Sequence, residues 1–232
     1  LTAPEQIERP TQLSALLMGV SEPSQVPSRS FAALPAVNEE LAVVSEQFPN
    51  SDILLNQDFS PAALRQTLAA KDYRILHMAT HGTFGFEPED NFVVTGAKQS
   101  EGTEAESGAF NETLTISELD ALIREVSEPT REAIELLTLT ACETAIGDNR
   151  STLGLAGVAI RAGVRSAIAT LWSVSDDSSA ELIAQFYDNL KNPELTKAKA
   201  MQRAQIEMLN SEDFVKVHPY RWAPFILIGN WL

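Results

Sequence analysis

Residues 74–82 read RILHMATHG and residues 134–144 read IELLTLTACET. Each is a short apolar run with the length and make-up of a buried strand. Each ends abruptly in side chains that can do chemistry: Thr80, His81 and Gly82 in the first, Thr140, Cys142 and Glu143 in the second. Four more runs have strand character: Ser14–Val20 (SALLMGV), Asp52–Leu55, Arg165–Trp172 (RSAIATLW) and Phe225–Ile228. Helical patterns lie between them. Val37–Phe48 has helical spacing, and Ser60 followed by Pro61 is an N-cap with proline at the first helical position, opening a helix to about Ala70. Thr115 and Glu118 form a capping box for a helix through Val126. Leu153–Ala162 reads as a helix, Ser175 caps another to Leu190, and Ala198, Met201, Ala204 and Met208 stripe a last one. Six strands alternating with helices predict an α/β fold: a mostly parallel six-stranded sheet with helices on both faces.

The segments outside this pattern read as irregular. They are the polar lead-in Leu1–Gln12, a Ser/Pro-rich loop through Arg29, and the acidic stretch Lys98–Thr113, read as a mobile surface loop. No linker splits the chain, so a single domain is expected, with 1–33 as lead-in and first strand and 34–232 as the body. A start at Leu1 rather than Met reads as a fragment of a longer protein.

With 44% hydrophobic and 21% charged residues in 232, the chain can bury a full core and is not disordered. A net charge of −15 argues against nucleic acid or an anionic membrane as partner and suits a basic ligand. A single cysteine excludes an intramolecular disulfide and a multi-cysteine zinc site, and points to a reducing, cytoplasmic setting. The most apolar stretch, Leu153–Trp172, is interrupted by Arg161 and Arg165, so no membrane span is expected, and no signal peptide is visible. No cofactor or metal is expected. His77 and His81 have the spacing of a zinc helix but lie on a strand without the following glutamate, and Gly154 and Gly157 lack the rest of a dinucleotide fingerprint. His77 reads as a core or supporting group, and His218 as packing or capping.

In an open α/β sheet, ligands bind beyond the carboxyl ends of the strands. If the two opening strands are neighbours, His81 and Cys142 meet at that edge. His81 then holds or accepts the thiol proton and leaves a thiolate nucleophile. The N–H groups of Gly82 and Cys142 are the candidate oxyanion donors. Against this stands the plainer reading, in which a lone cysteine at a strand end is a buried, inert thiol.

Taken in order, ILHMATHG, LLTLTACETAIG, GLAGVAIRAGVRSAIATLWSVSDD and HPYRWAPFILIGNWL resemble a CHAT domain, the caspase-like domain associated with tetratricopeptide repeats, in the caspase–separase group of cysteine peptidases. The resemblance runs from about Leu34 to Leu232. It implies a caspase-like three-layer sandwich, a His81–Cys142 dyad, an oxyanion site near Gly82, a protein substrate cleaved through a thioester acyl-enzyme, and a repeat region elsewhere in the full chain. The alternative is a non-catalytic caspase-like interaction scaffold. His precedes Cys by 142 − 81 = 61 residues, comparable to the roughly 50 of caspases. TACET stands where caspases carry a different nucleophile signature, so aspartate specificity does not transfer.

The substrate pocket is expected from Trp172, Ser173, Asp176, Asp177 and Glu143. Trp172 walls a pocket or packs in the core, and Glu143 shapes the pocket or starts a turn. Asp176 and Asp177 either rim the pocket or complement a helix dipole. Ser173 and Thr140 occupy the two positions where related families place a specificity acid. A basic residue before the cut and a mid-sized apolar one are both open.

Overall fold

A computed structural model of the chain describes residues 13–83, 91–97, 110–126, 132–140, 157, 159–172, 174–213 and 217–232. Strand β1 (Ala15–Gly19) is buried at all five positions. Both its faces are covered, which is why its sequence is continuously apolar rather than alternating. It is flanked by β4 (Asp52–Leu55) and β5 (Ile75–Ala79), both parallel to it. Beyond β5 come β9 (Leu136–Leu139) and β10 (Ser166–Thr170), also parallel, and then β11 (Phe225–Gly229), antiparallel to β10. The six-stranded order is β11-β10-β9-β5-β1-β4.

The period-two alternation of the strands divides the core in two. Leu16, Met18, Leu76, Met78, Leu137 and Leu139 face one layer, with helices α2 (Pro61–Ala70) and α3 (Ile116–Val126) and the helical residues 159–162. Ala15, Leu17, Ile75, Leu136 and Ile168 face the other. That layer holds α1 (Ala36–Gln47), α4 (Asp176–Leu190) and α5 (Lys197–Leu209). The expected stripe on α4 is there: Leu182 and Phe186 are fully buried and Leu190 nearly so. Each such side chain contributes roughly 1.5–3 kcal/mol by leaving water.

The local signals at helix starts hold. The Ser60 hydroxyl accepts from the Ala63 N–H at 3.1 Å. The Thr115 hydroxyl accepts from the Glu118 N–H at 3.2 Å, while the Glu118 carboxylate takes the Thr115 N–H at 2.8 Å. His218 caps the short helix α6 (Pro219–Trp222) by accepting from the Tyr220 N–H. Ser175 differs from expectation. It precedes α4, but its hydroxyl makes no cap bond, because Ser178 Oγ at 2.9 Å and the Arg221 guanidinium at 3.1 Å engage it instead.

Two small sheets lie outside the expected pattern. The Ser/Pro-rich loop contains a hairpin, β2 (Ser24–Val26) with β3 (Arg29–Phe31). A second, three-stranded sheet joins β6 (Gly82–Thr83), β7 (Phe92–Ala97) and β8 (Asn111–Thr115). The end of the stretch read as a mobile loop is therefore strand, since Asn111 and Thr113 pair with β7. Residues 98–109 of that stretch, and 1–12 of the lead-in, lie outside the described residues. Asn111 explains why a polar run becomes a strand. Its amide donates to the Thr95 carbonyl at 2.8 Å and accepts from the Gln25 N–H at 2.8 Å, stitching the hairpin to β7. Gly96 seals the other side: its N–H meets the Phe59 carbonyl, and a Cβ there would collide with the Asn56 carbonyl oxygen.

Candidate active site

β5 leaves the sheet at Thr80-His81-Gly82 and is caught at once by β7. The Thr80 hydroxyl donates to the Val94 carbonyl at 2.7 Å, and the Val94 N–H donates to the His81 carbonyl at 2.8 Å. The His81 side chain is 5% exposed. Its ring stacks on Phe31 at 4.8 Å and 25°, and its Nε2 lies 2.8 Å from the Ala32 carbonyl oxygen. A carbonyl only accepts, so Nε2 carries a proton, and in the neutral imidazole Nδ1 then keeps the lone pair. Phe31 is itself covered by the Arg29 guanidinium, 5.1 Å from its centroid. The hairpin β2–β3 and the residue after it thus set both the plane and the tautomer of the imidazole.

Gly82 pairs with Val93, and the bond from the Val94 N–H to the His81 carbonyl makes this the non-hydrogen-bonded kind of antiparallel pair. The Gly82 N–H is therefore directed away from β7. On the neighbouring strand, Thr138 stands beside His77 and Leu139 beside Met78, and the Thr140 N–H donates to the Met78 carbonyl at 3.0 Å. The carboxyl ends of β5 and β9 thus leave the sheet at one edge. Cys142 and Glu143, two and three residues past Thr140, and Ser173 lie outside the described residues.

The remaining pocket candidates are on α4 and the end of β10. Trp172 is half-buried, and its indole N–H donates to the Tyr220 carbonyl at 3.0 Å. Asp176 serves a helix other than its own: its carboxylate accepts from the Ala36 N–H at 3.2 Å, at the start of α1. Asp177 is exposed and lines a groove of about 320 Å³ between α1 and α4, with Glu39, Glu40 and Glu181 among its other walls.

One buried polar group has no counterpart among the candidates drawn from sequence. Glu40 is 2% exposed. Its Oε1 lies 3.1 Å from His77 Nε2 and accepts from the Thr140 hydroxyl at 2.9 Å. His77 is fully buried, and the Tyr187 hydroxyl, 3.5 Å from its Nδ1, donates to Thr138 at 2.9 Å. Burial pushes the Tyr187 phenol well above its ordinary range, and the Glu40 charge adds to the shift. A signal for Glu40 was present. Val37, Leu41 and Val44 mark the apolar face of α1, and Glu40 interrupts that face at a core position. Among the described residues no cluster of three metal-ligating side chains occurs, and no helix is long and apolar enough to cross a membrane.

A mixed, mostly parallel sheet in this order, sandwiched between two helical layers, is the caspase-like fold. Within that class the chain belongs to the CHAT domain family, whose model matches residues 1–230 and so begins well before the stretch from Leu34 that carries the sequence resemblance. Among solved structures it is similar to the complex of Porphyromonas gingivalis RgpB pro- and mature domains, with a TM-score of 0.54 and 10% identity over 95% of this chain and 47% of that one. It is also similar to the Arg-specific cysteine proteinase gingipain R, with a TM-score of 0.56 and 8% identity over 95% and 47%. At such identities the likeness is one of fold, and the chain spans about half the length of these structures. Against curated protein sequences it has no significant match.

Proposed function

We propose that this chain is a cysteine endopeptidase in which Cys142 is the nucleophile and His81 its proton carrier. The observation that carries this reading is the clamp on His81. A buried imidazole held flat by Phe31, with Nε2–H committed to the Ala32 carbonyl, offers Nδ1 as a base beside the end of β9. Cys142 is two residues past Thr140, so the chain carries it at most about 7 Å from there.

The proton of Cys142 Sγ passes to His81 Nδ1, and the thiolate adds to the scissile carbonyl carbon. The N–H groups of Gly82 and Cys142 receive the oxyanion. As the carbon–nitrogen bond breaks, His81 returns the proton to the leaving amine, and a thioester remains. Water then adds, giving a proton to His81, and collapse releases the acid and restores the thiol. The substrate is a protein, and the chain works as the peptidase part of a longer, repeat-containing protein in the cytoplasm. With Asp176 engaged by α1, a basic residue before the cut is supported by Asp177 in the acidic groove and by the net charge of −15.

A thiol-acylating peptidyl probe tests the dyad. Labelling at Cys142 that disappears in His81→Ala supports the enzyme. Equal, slow labelling in both overturns it and leaves an interaction scaffold. A peptide library tests the pocket: preference for leucine or methionine, unchanged in Asp177→Asn, removes the basic assignment.

A further inference from the structure

The layer formed by α1 and α4 hides a carboxylate that the chemistry above does not use. Glu40 sits among the core positions of α1 and is almost fully buried. Burying a carboxylate is costly, and apolar side chains of similar volume commonly serve stability as well or better. Stability alone is therefore a poor account of a glutamate here. What Glu40 holds is specific: its Oε1 takes the Thr140 hydroxyl at 2.9 Å, and His77 Nε2 stands 3.1 Å from the same oxygen. His77 is itself backed by Tyr187. Thr140, one residue past β9, is the last described residue before Cys142.

The start of the same helix is also pinned. The Asp176 carboxylate takes the Ala36 N–H, four residues past Ala32, whose carbonyl holds His81. The segment 32–40 thus touches both strand ends, β5 through Ala32 and β9 through Glu40. We infer that Glu40 is a positioning residue, which sets the carboxyl end of β9 relative to His81 by holding the Thr140 hydroxyl. The inference rests on Cys142 being the nucleophile, and it adds a residue that no strand-end motif contains.

The test measures acylation of the full chain by the same peptidyl probe, separating the maximal rate from the half-saturating concentration. Thr140→Val exchanges the hydroxyl for a methyl; its maximal rate should fall about tenfold or more, with half-saturation within about twofold. Thr140→Ser keeps the donor and Glu40→Gln keeps an acceptor, so each should retain its rate to within about threefold. Glu40→Leu should match Thr140→Val, and the double variant should lose no more than either single one, because the two act as a unit. Losses that multiply in the double variant, or a Thr140→Val protein at full rate, overturn the inference while the dyad stands. If Glu40→Leu does not fold, the contrast between Thr140→Val and Thr140→Ser still decides. A wild-type chain unlabelled at Cys142, or a His81→Ala chain labelled at full rate, overturns the dyad and the inference with it.

Discussion

His77 and His81 stand four residues apart, one in the middle of β5 and one just past its end, and they have opposite surroundings. His77 is sealed between sheet and helices, with a carboxylate on one nitrogen and a phenol near the other. His81 has one nitrogen engaged by a backbone carbonyl and its ring face covered by Phe31. The interior histidine is enclosed by Glu40 and Tyr187 and is part of the frame, although its Nε2 makes no hydrogen bond. The edge histidine is held from one side and, in the proposed dyad, keeps Nδ1 for chemistry. What separates the two is thus position: His77 is enclosed in mid-strand, while His81 stands past the strand end, beside the chain that leads to Cys142. Burial does not separate them, since both are buried.

The largest test of this contrast is His81→Ala, which should lower acylation of Cys142 by about 10⁴-fold while folding is kept. Labelling kinetics beside a thermal melt give both numbers. A melt shifted as far as that of a core mutant would erase the distinction. His77→Ala should do the reverse in kind. It empties a fully buried site beside Glu40 and should cost about 2–4 kcal/mol in urea unfolding. A stable His77→Ala protein would show that the interior pair is dispensable to the frame.

Phe31→Leu sharpens the comparison at the edge. It keeps most of the apolar volume but removes the flat face that holds His81, so acylation should slow about tenfold with stability changed by less than about 1.5 kcal/mol. The smallest effect is expected far from both histidines, at the start of β4. Hydrogen bonds from Lys71, and then Tyr73, hold the Asp52 carboxyl below its usual range. A folded-state pKa below the unfolded one adds stability that is present above about pH 4 and lost as pH falls through the lowered folded value. Half-exposed as it is, Asp52 should contribute little. Asp52→Asn should flatten the acid limb of a stability–pH curve slightly and leave labelling unchanged.

Legibility in the sequence followed the range of the forces involved. The central core strands were readable because a strand buried on both faces is apolar at nearly every position, as in Ala15–Gly19 and, but for Thr138, Leu136–Leu139. Caps at Ser60 and Thr115 were readable because they act over three residues. The hairpin β2–β3 and the sheet β6–β7–β8 were missed for a physical reason. β2, β3, β6 and β8 are short or polar, and partners elsewhere in the chain hold them, as when Asn111 ties Gln25 to Thr95; β7, FVVTGA, did carry an apolar strand signal that went unread. Asp176 shows the same limit from another side: its place in the first turn of α4 suggested a local charge effect, yet it serves the start of α1, 140 residues away in sequence.

By itself, then, the sequence determined the alternating α/β pattern, the apolar strands and the candidacy of His81, Gly82 and Cys142, since these depend on neighbours along the chain. Only the tertiary structure decided which strands lie side by side and what stands against each polar group. The carbonyl that selects the His81 tautomer comes from 49 residues upstream, and the carboxylate that holds Thr140 from 100 residues upstream. Such bonds leave no periodicity in the chain, because each needs only one correctly placed atom, and the fold as a whole does the placing.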